Sequence, residues 1–421
     1  MSIVRRFPFL LPLLLSPLAV ADQPVPLDTL ATEVLTHHPE LRFYEAEIAA
    51  AKAGRRAAGA LADPELSLEL AQKRVREPGG ALAGEGLAWS VTVSQTFEWP
   101  GRLALRKSIA NRDLVLAELG LEQFRRALLA RARSLAHAVA IAQAKADATR
   151  EVSLRYQALR EVLAGREPGG LTPVLELRVI EAQEISLRRR AAETALAAQE
   201  AAIELNQLRG AALTDLPALA MPRFQFAEAP AVDDLLKAAR ENNVSHRIRQ
   251  LELAQHADRV SLAQNERYPS ITLSPFYEEE RAGERESLLG VGVSLPLPFT
   301  SRTKGAVDLA YARRQQAEAA LRAAERTLER EVTATAAAYA THRASLQSWR
   351  TDTVEHFREA ADLADRHYRL GAVPLATYVE LQGAYLDAIT SLLDTQHDAL
   401  VAAGALEQLT GLPLPLIETQ P

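Results

Sequence analysis

The chain has 421 residues, no cysteine, nine histidines, two methionines and a formal net charge of −6. The missing cysteine excludes disulfides, thiolate metal sites, cysteine nucleophiles and a lipidated N-terminal cysteine as an anchor. The mild acidity argues against a nucleic-acid partner, and Met1 and Met221 alone cannot form a methionine relay for soft metals.

Arg5 and Arg6 precede an apolar run from Phe7 to Val20, which ends in Ala19-Val20-Ala21. A basic start, a short apolar core and an A-x-A end predict a secretory signal peptide over 1–21. Pro8, Pro12 and Pro17 break the run, which is too short to span a bilayer as a helix. Without Arg5 and Arg6 the charge becomes −8. No later stretch approaches the ~20 apolar residues of a transmembrane helix, so any membrane passage must be made by the strands of a closed barrel.

The rest of the chain reads as two copies of one pattern, 22–213 and 232–414, with a linker over 214–231 and a tail over 415–421. Leu27-Asp28 and Leu30 return as Val232-Asp233 and Leu235. Pro64 returns as Pro269, and Val91-Thr92-Val93-Ser94 as Val291-Gly292-Val293-Ser294. Gly170-Leu171-Thr172-Pro173 returns as Gly371-Ala372-Val373-Pro374. The copies close on Leu205-Asn206-Gln207-Leu208-Arg209-Gly210 and Leu406-Glu407-Gln408-Leu409-Thr410-Gly411. Conserved order and offset mark a tandem duplication.

Each copy predicts a helix, a strand pair, a very long helix, a tip and another long helix. Between Gly101 and Ala164 the only breaker is Gly120, and between Ala306 and Leu370 there is none, so each stretch predicts one helix of roughly 95–100 Å. Leu114, Leu121, Leu128 and Leu135 recur every seven residues, and Leu321, Leu328, Val332, Tyr339, Leu346 and Trp349 form a similar seam. The strand runs alternate. Leu66, Leu68 and Leu70 oppose Ser67 and Glu69; Leu87, Trp89, Val91 and Val93 oppose Ala88, Ser90, Thr92 and Ser94. In the second copy Ile271 and Leu273 open one strand, and Leu289, Val291, Val293 and Leu295 alternate with Gly290, Gly292 and Ser294 in the next. One apolar face and one small or polar face is the pattern of a membrane barrel wall. The connecting loops are expected over Arg76–Gly86 and Glu278–Ser287. Four strands cannot close a barrel, so copies must associate, as a dimer of eight strands, a trimer of twelve, or more.

Catalytic motifs are missing: no H-E-x-x-H, P-loop, G-x-S-x-G or G-x-G-x-x-G between strand and helix occurs, and an enzyme is not expected. No cofactor is expected. His37-His38 are adjacent and cannot share a helix face as a bidentate metal site, which leaves a solvated helix cap. Arg188-Arg189-Arg190 reads as a wet helix face. Trp89 and Trp99 suit either an aromatic girdle at a membrane interface or packing at the barrel base.

Together these features resemble the TolC-like outer-membrane efflux proteins over essentially the whole mature chain. The resemblance implies a mainly α protein with a membrane β-barrel, in the outer membrane and extending into the periplasm. Three copies with four strands each would make a twelve-stranded barrel continuing into a twelve-helix tunnel. It implies two continuous long helices and two pairs of shorter ones per chain, with the linker near Leu216–Pro230 and the C-terminal tail in an equatorial belt.

The implied partners are further copies of the chain, outer-membrane lipid, a periplasmic adaptor and an inner-membrane pump of the resistance-nodulation-division type. Gly170, Leu171, Thr172, Pro173, Gly371, Ala372, Val373 and Pro374 resemble the family's adaptor-docking tips, with Arg369 and Tyr368 as further tip contacts. The family's acid six residues after the tip glycine is kept at Glu176 and replaced by Thr377 in the second copy. A second acid three positions on falls at Glu380, implying one acidic ring in the trimer instead of two. The text Ser94-Gln95-Thr96-Phe97-Glu98-Trp99-Pro100-Gly101-Arg102 is most similar to cobalt–zinc–cadmium exporter components, which implies heavy-metal cations as cargo. Drug efflux and type I protein secretion are the alternatives. A periplasmic coiled-coil adaptor or scaffold would explain the helices but not the duplicated lipid-length strands.

Overall fold

A computed structural model describes residues 33–36, 38–165, 171–213, 223–297, 302–349 and 353–420. Residues 1–21, expected as a signal peptide, and Leu27, Asp28, Leu30 and His37 lie outside that set. The first copy supplies α1 (Glu40–Ala58), β1 (Glu65–Arg76), β2 (Leu82–Phe97), α2 (Arg102–Ala164) and α3 (Leu171–Arg209). The linker contributes β3 (Arg223–Phe226). The second copy supplies α4 (Val232–Asn242), α5 (Val244–Asn265), β4 (Ile271–Arg281), β5 (Arg285–Ser294), α6 (Arg302–Ser348), α7 (Thr353–Arg369) and α8 (Leu375–Thr410), before β6 (Ile417–Gln420).

The 63 residues of α2 run unbroken for about 95 Å. Its counterpart does not: the stretch expected as one helix from Ala306 to Leu370 is two, α6 and α7. At the break the chain tightens, with Trp349 N–H donating to the Leu346 carbonyl at 3.2 Å. Absence of Pro and Gly permits a long helix without enforcing one, because tertiary packing decides its ends. The seam of α2 is also wider than its leucines imply. Leu114 and Leu128 are buried, but so are Ala132, Ala136, Ala140, Ala148 and Val152. The helix packs against α1, α3, α5 and α8, and alanine lets those neighbours approach closely.

The strand pairs of both copies join in one antiparallel sheet of order β1-β2-β4-β5. Register aligns Leu68 with Val91, Val91 with Tyr277 and Tyr277 with Leu289, so these apolar residues from all four strands share one face. That face is open: Leu70 is 77% and Leu289 80% exposed. On the opposite face Ser94 meets Ser274 and Thr96 meets Thr272, each at 2.9 Å. Phe276 lies over Gly290, where a Cβ would come within 2.7 Å of the ring. The loops are shorter than expected, 77–81 and 282–284, because charged neighbours carry the ladders outward. Arg74 pairs with Glu85 at 3.0 Å, and Lys73 with Glu280.

At the base of the sheet the two copies are locked together. Gly101, at φ 86°, turns β2 into α2. Arg102 then donates to the Asn265 side chain and carbonyl (both 3.2 Å), to Ser270 Oγ (2.9 Å) and to the Tyr268 carbonyl (2.6 Å). Asn265 answers by donating to the Pro100 carbonyl at 3.1 Å. Trp99 stacks on Tyr268 with centroids 4.9 Å apart, which places it at the joint, while Trp89 lies on the apolar face against Tyr277. Lower down, Asp258 of α5 accepts from Arg112 (2.8 Å) and Ser108 (2.7 Å) of α2. Burial alone would raise its carboxyl; those bonds and the Arg112 charge outweigh it and hold the group below its ordinary range.

Midway along the helices, β3 pairs with β6, so linker and tail meet as one small sheet. Buried Tyr339, a residue of the predicted seam, fixes them to α6, its hydroxyl lying 2.7 Å from the Ala227 carbonyl and 3.0 Å from that of Leu416. The glycines that close the two expected copies behave alike. Gly210 and Gly411 both take φ 69° at the ends of α3 and α8, the left-handed conformation that glycine adopts without a Cβ clash.

Candidate functional site

The far end of the helices from the sheet gathers the residues singled out for the tip. Helix α7 ends in a Schellman motif: Gly371 N–H donates to the Tyr368 carbonyl at 2.9 Å and Ala372 N–H to that of His367 at 2.8 Å. Gly371 adopts φ 73° to make it, and Pro374 in extended backbone starts α8. This turn aims Tyr368 back at α3, where its hydroxyl donates to Glu176 Oε2 at 3.2 Å. The two tips are thereby joined through residues 192 positions apart.

The remaining tip residues divide. Arg369 turns back onto Asp365 of its own helix at 3.0 Å. Glu380 is exposed and Thr377 half-buried on α8, Ala372 is exposed, and Val373 packs on the tip core. Gly170 lies outside the described residues, as do the side chains of Leu171, Thr172 and Pro173.

Above the turn lies a polar tie that sequence reasoning missed. Arg155 of α2, only 16% exposed, pairs with Asp362 of α7 at 2.5 Å and Glu151 at 2.6 Å, and donates to Gln382 Oε1 of α8 at 3.3 Å. Gln382, buried, donates from its other end to the Ala361 carbonyl at 2.8 Å. Tyr385 donates to Glu151 at 3.4 Å. Three helices thus share one bonded network. Around it Tyr156, Ile180, Ala361, Ala364, Tyr368 and Tyr378 form an apolar cluster. Burial pushes the Tyr156 hydroxyl up to about 12, so it stays neutral.

The arginine triplet is not simply a wet face. Arg188 pairs with Glu184, which is 3% exposed and also meets Arg160 at 3.3 Å, while Arg190 reaches Asp387 at 3.6 Å. His38 packs its ring against Phe124 with centroids 5.6 Å apart. Among the described residues no group of three or more His, Asp or Glu side chains is arranged to hold a metal, and no helix is long and apolar enough to cross a membrane.

Residues 235–412 match the family model described as outer membrane efflux protein, a span that covers the second copy from α4 to just past α8. No curated protein matches. Solved structures match over nearly the whole chain. A membrane protein from Pseudomonas aeruginosa has a TM-score of 0.74 at 19% identity, over 92% of this chain and 90% of that one. CusC, whose structures concern folding and transmembrane channel formation, has a TM-score of 0.73 at 18% identity, covering 92% of each chain. The outer membrane protein VceC from Vibrio cholerae has 0.71 at 20% identity, over 91% of this chain and 96% of that one. The chain has the TolC-like fold of these proteins: mainly helical, with a four-stranded antiparallel sheet and a smaller two-stranded one.

Proposed function

We propose that the chain is the exit duct of a tripartite efflux system, a homotrimer set in the outer membrane and reaching through the periplasm. The observation that carries this reading is the two-faced sheet. Its apolar face is open, its other face is mostly Ser, Thr, Gly and Glu, with Phe276 and Leu288 among them, and its edge strands β1 and β5 have no partner among the described residues. In lipid an unpaired edge is untenable, so β5 of one copy pairs with β1 of the next until the wall closes. Apolar residues then meet lipid, and the polar face lines water.

The tip is the gate. Tyr368–Glu176 and the Arg155 tie hold α7 and α8 against α2 and α3, and an adaptor that engages the Gly371 turn and the start of α3 would loosen them. Glu380, exposed on α8, faces its symmetry mates across the narrowed end and gives it a cation-attracting ring. Energy and most selectivity belong to an inner-membrane pump of the resistance-nodulation-division type. Heavy-metal cations are the proposed cargo, supported by the text of residues 94–102 and by Glu380.

A deletion strain and its complement, grown across zinc, cobalt and cadmium salts and a drug panel, test this. Sensitivity to the metals alone, restored by the intact gene and not by Glu380→Gln, is the expected result. Drug sensitivity with normal metal tolerance would replace the cargo and keep the duct. Normal growth on both panels would favour a protein-secretion role.

A further inference from the structure

The tip cluster contains a polar group that the latch does not use. Tyr378, on the first turn of α8, is 0% exposed, its ring 5.4 Å from that of Tyr156 and 5.5 Å from that of Tyr368. Its hydroxyl is buried with no hydrogen-bond partner among the described residues. Three other constrained tyrosines do not behave this way. Tyr339 shares its hydroxyl between two carbonyls, Tyr385 reaches Glu151 and Tyr368 reaches Glu176. Ile180, Ala361, Ala364 and Leu375 pack around Tyr378, and the charges of Asp365, Arg369 and Arg155 act on its hydroxyl without bonding it.

A buried hydroxyl that gives up water and gains nothing penalises the packed state alone, since in a loosened tip water satisfies it again. A phenylalanine would fill almost the same volume without that cost. We propose that Tyr378 is a release element: its unsatisfied hydroxyl weakens the closure of α7 and α8 over the tip, opposing the neighbouring Tyr368–Glu176 bond. The two tyrosines lie on one cluster and act with opposite sign. One bonds across to α3 and holds; the other is held dry and loosens. The tip is thereby set near balance, which suits an element that a docking partner must open without a large input of energy.

The role in gating rests on the exit-duct reading, but the bias itself does not, and it is measured separately. Amide hydrogen exchange over residues 353–386 is followed in the purified full chain in detergent. Tyr378→Phe is expected to slow by roughly tenfold those amides that exchange through tip opening. Tyr368→Phe is expected to speed the same amides. Exchange in Tyr378→Phe that is unchanged or faster would overturn the proposal, since it would mean that the hydroxyl costs nothing in the packed tip or stabilises it. In planar bilayers Tyr378→Phe should lengthen closed periods by a similar factor. Wild-type protein that forms no channels would refute the duct, while the exchange rates would still decide what Tyr378 does.

Discussion

Leu289→Arg is expected to abolish assembly in the membrane while Ser90→Arg leaves it intact. Leu289 is 80% exposed on the apolar face of β5, and the register places it beside Tyr277, with Val91 and Leu68 farther across the same face. An arginine on the lipid face of a barrel costs about 2–4 kcal/mol near the bilayer midplane, and threefold symmetry would impose it three times. Ser90 points the other way, between Glu69 and Glu278 in register, so an arginine there meets two carboxylates and water. Comparing the yield of oligomer extracted from outer membranes for the two variants checks both the face assignment and its sign.

Arg155→Ala is expected to unseat α7. The change strands the Asp362 carboxylate, leaves Glu151 only Tyr385 and a more distant Arg358, and takes the donor from Gln382 Oε1. Removing one partner of a fully buried pair costs about 3–5 kcal/mol; with Asp362 39% exposed, water offsets part of that, and about 2–3 kcal/mol is the appropriate size. Arg155→Lys keeps the charge but loses the planar fork that serves three acceptors, so it should recover only part of the loss. Thermal unfolding of the purified protein reads the stability change. Protease sensitivity confined to residues 353–386 distinguishes a loosened α7 from general unfolding.

These tip contacts were the least legible part of the sequence. The duplication was visible because it repeats whole phrases, and the paired glycines Gly210 and Gly411 take the same left-handed turn. The two faces of the sheet were visible because period two needs no tertiary information. Arg155 and Gln382, by contrast, stand 227 positions apart and lie on helices whose local patterns are unremarkable. Tyr368 and Glu176 were separately noticeable at the tips, yet nothing local says that they bond. Abundant alanine announces closely packed helices, but it does not say which neighbours α2 meets, since small residues carry close packing without a strong hydrophobic pattern. The end of α6 near Ser348 carries neither Pro nor Gly, so local signals argued for continuation. In the strand loops the charged residues suggested a turn, whereas Arg74–Glu85 and Lys73–Glu280 use them to extend the ladders.

The central claim, that this chain closes a barrel only as an oligomer in the outer membrane, is tested most directly by fractionation followed by native mass measurement. Cells expressing the intact gene are separated into periplasm, inner membrane and outer membrane, and the protein is extracted in mild detergent. The account predicts recovery from the outer membrane, resistance to carbonate, and a mass of three copies. A carbonate-soluble periplasmic monomer would contradict it, because the open apolar face and the β1 and β5 edges, unpaired among the described residues, would then have to survive in water.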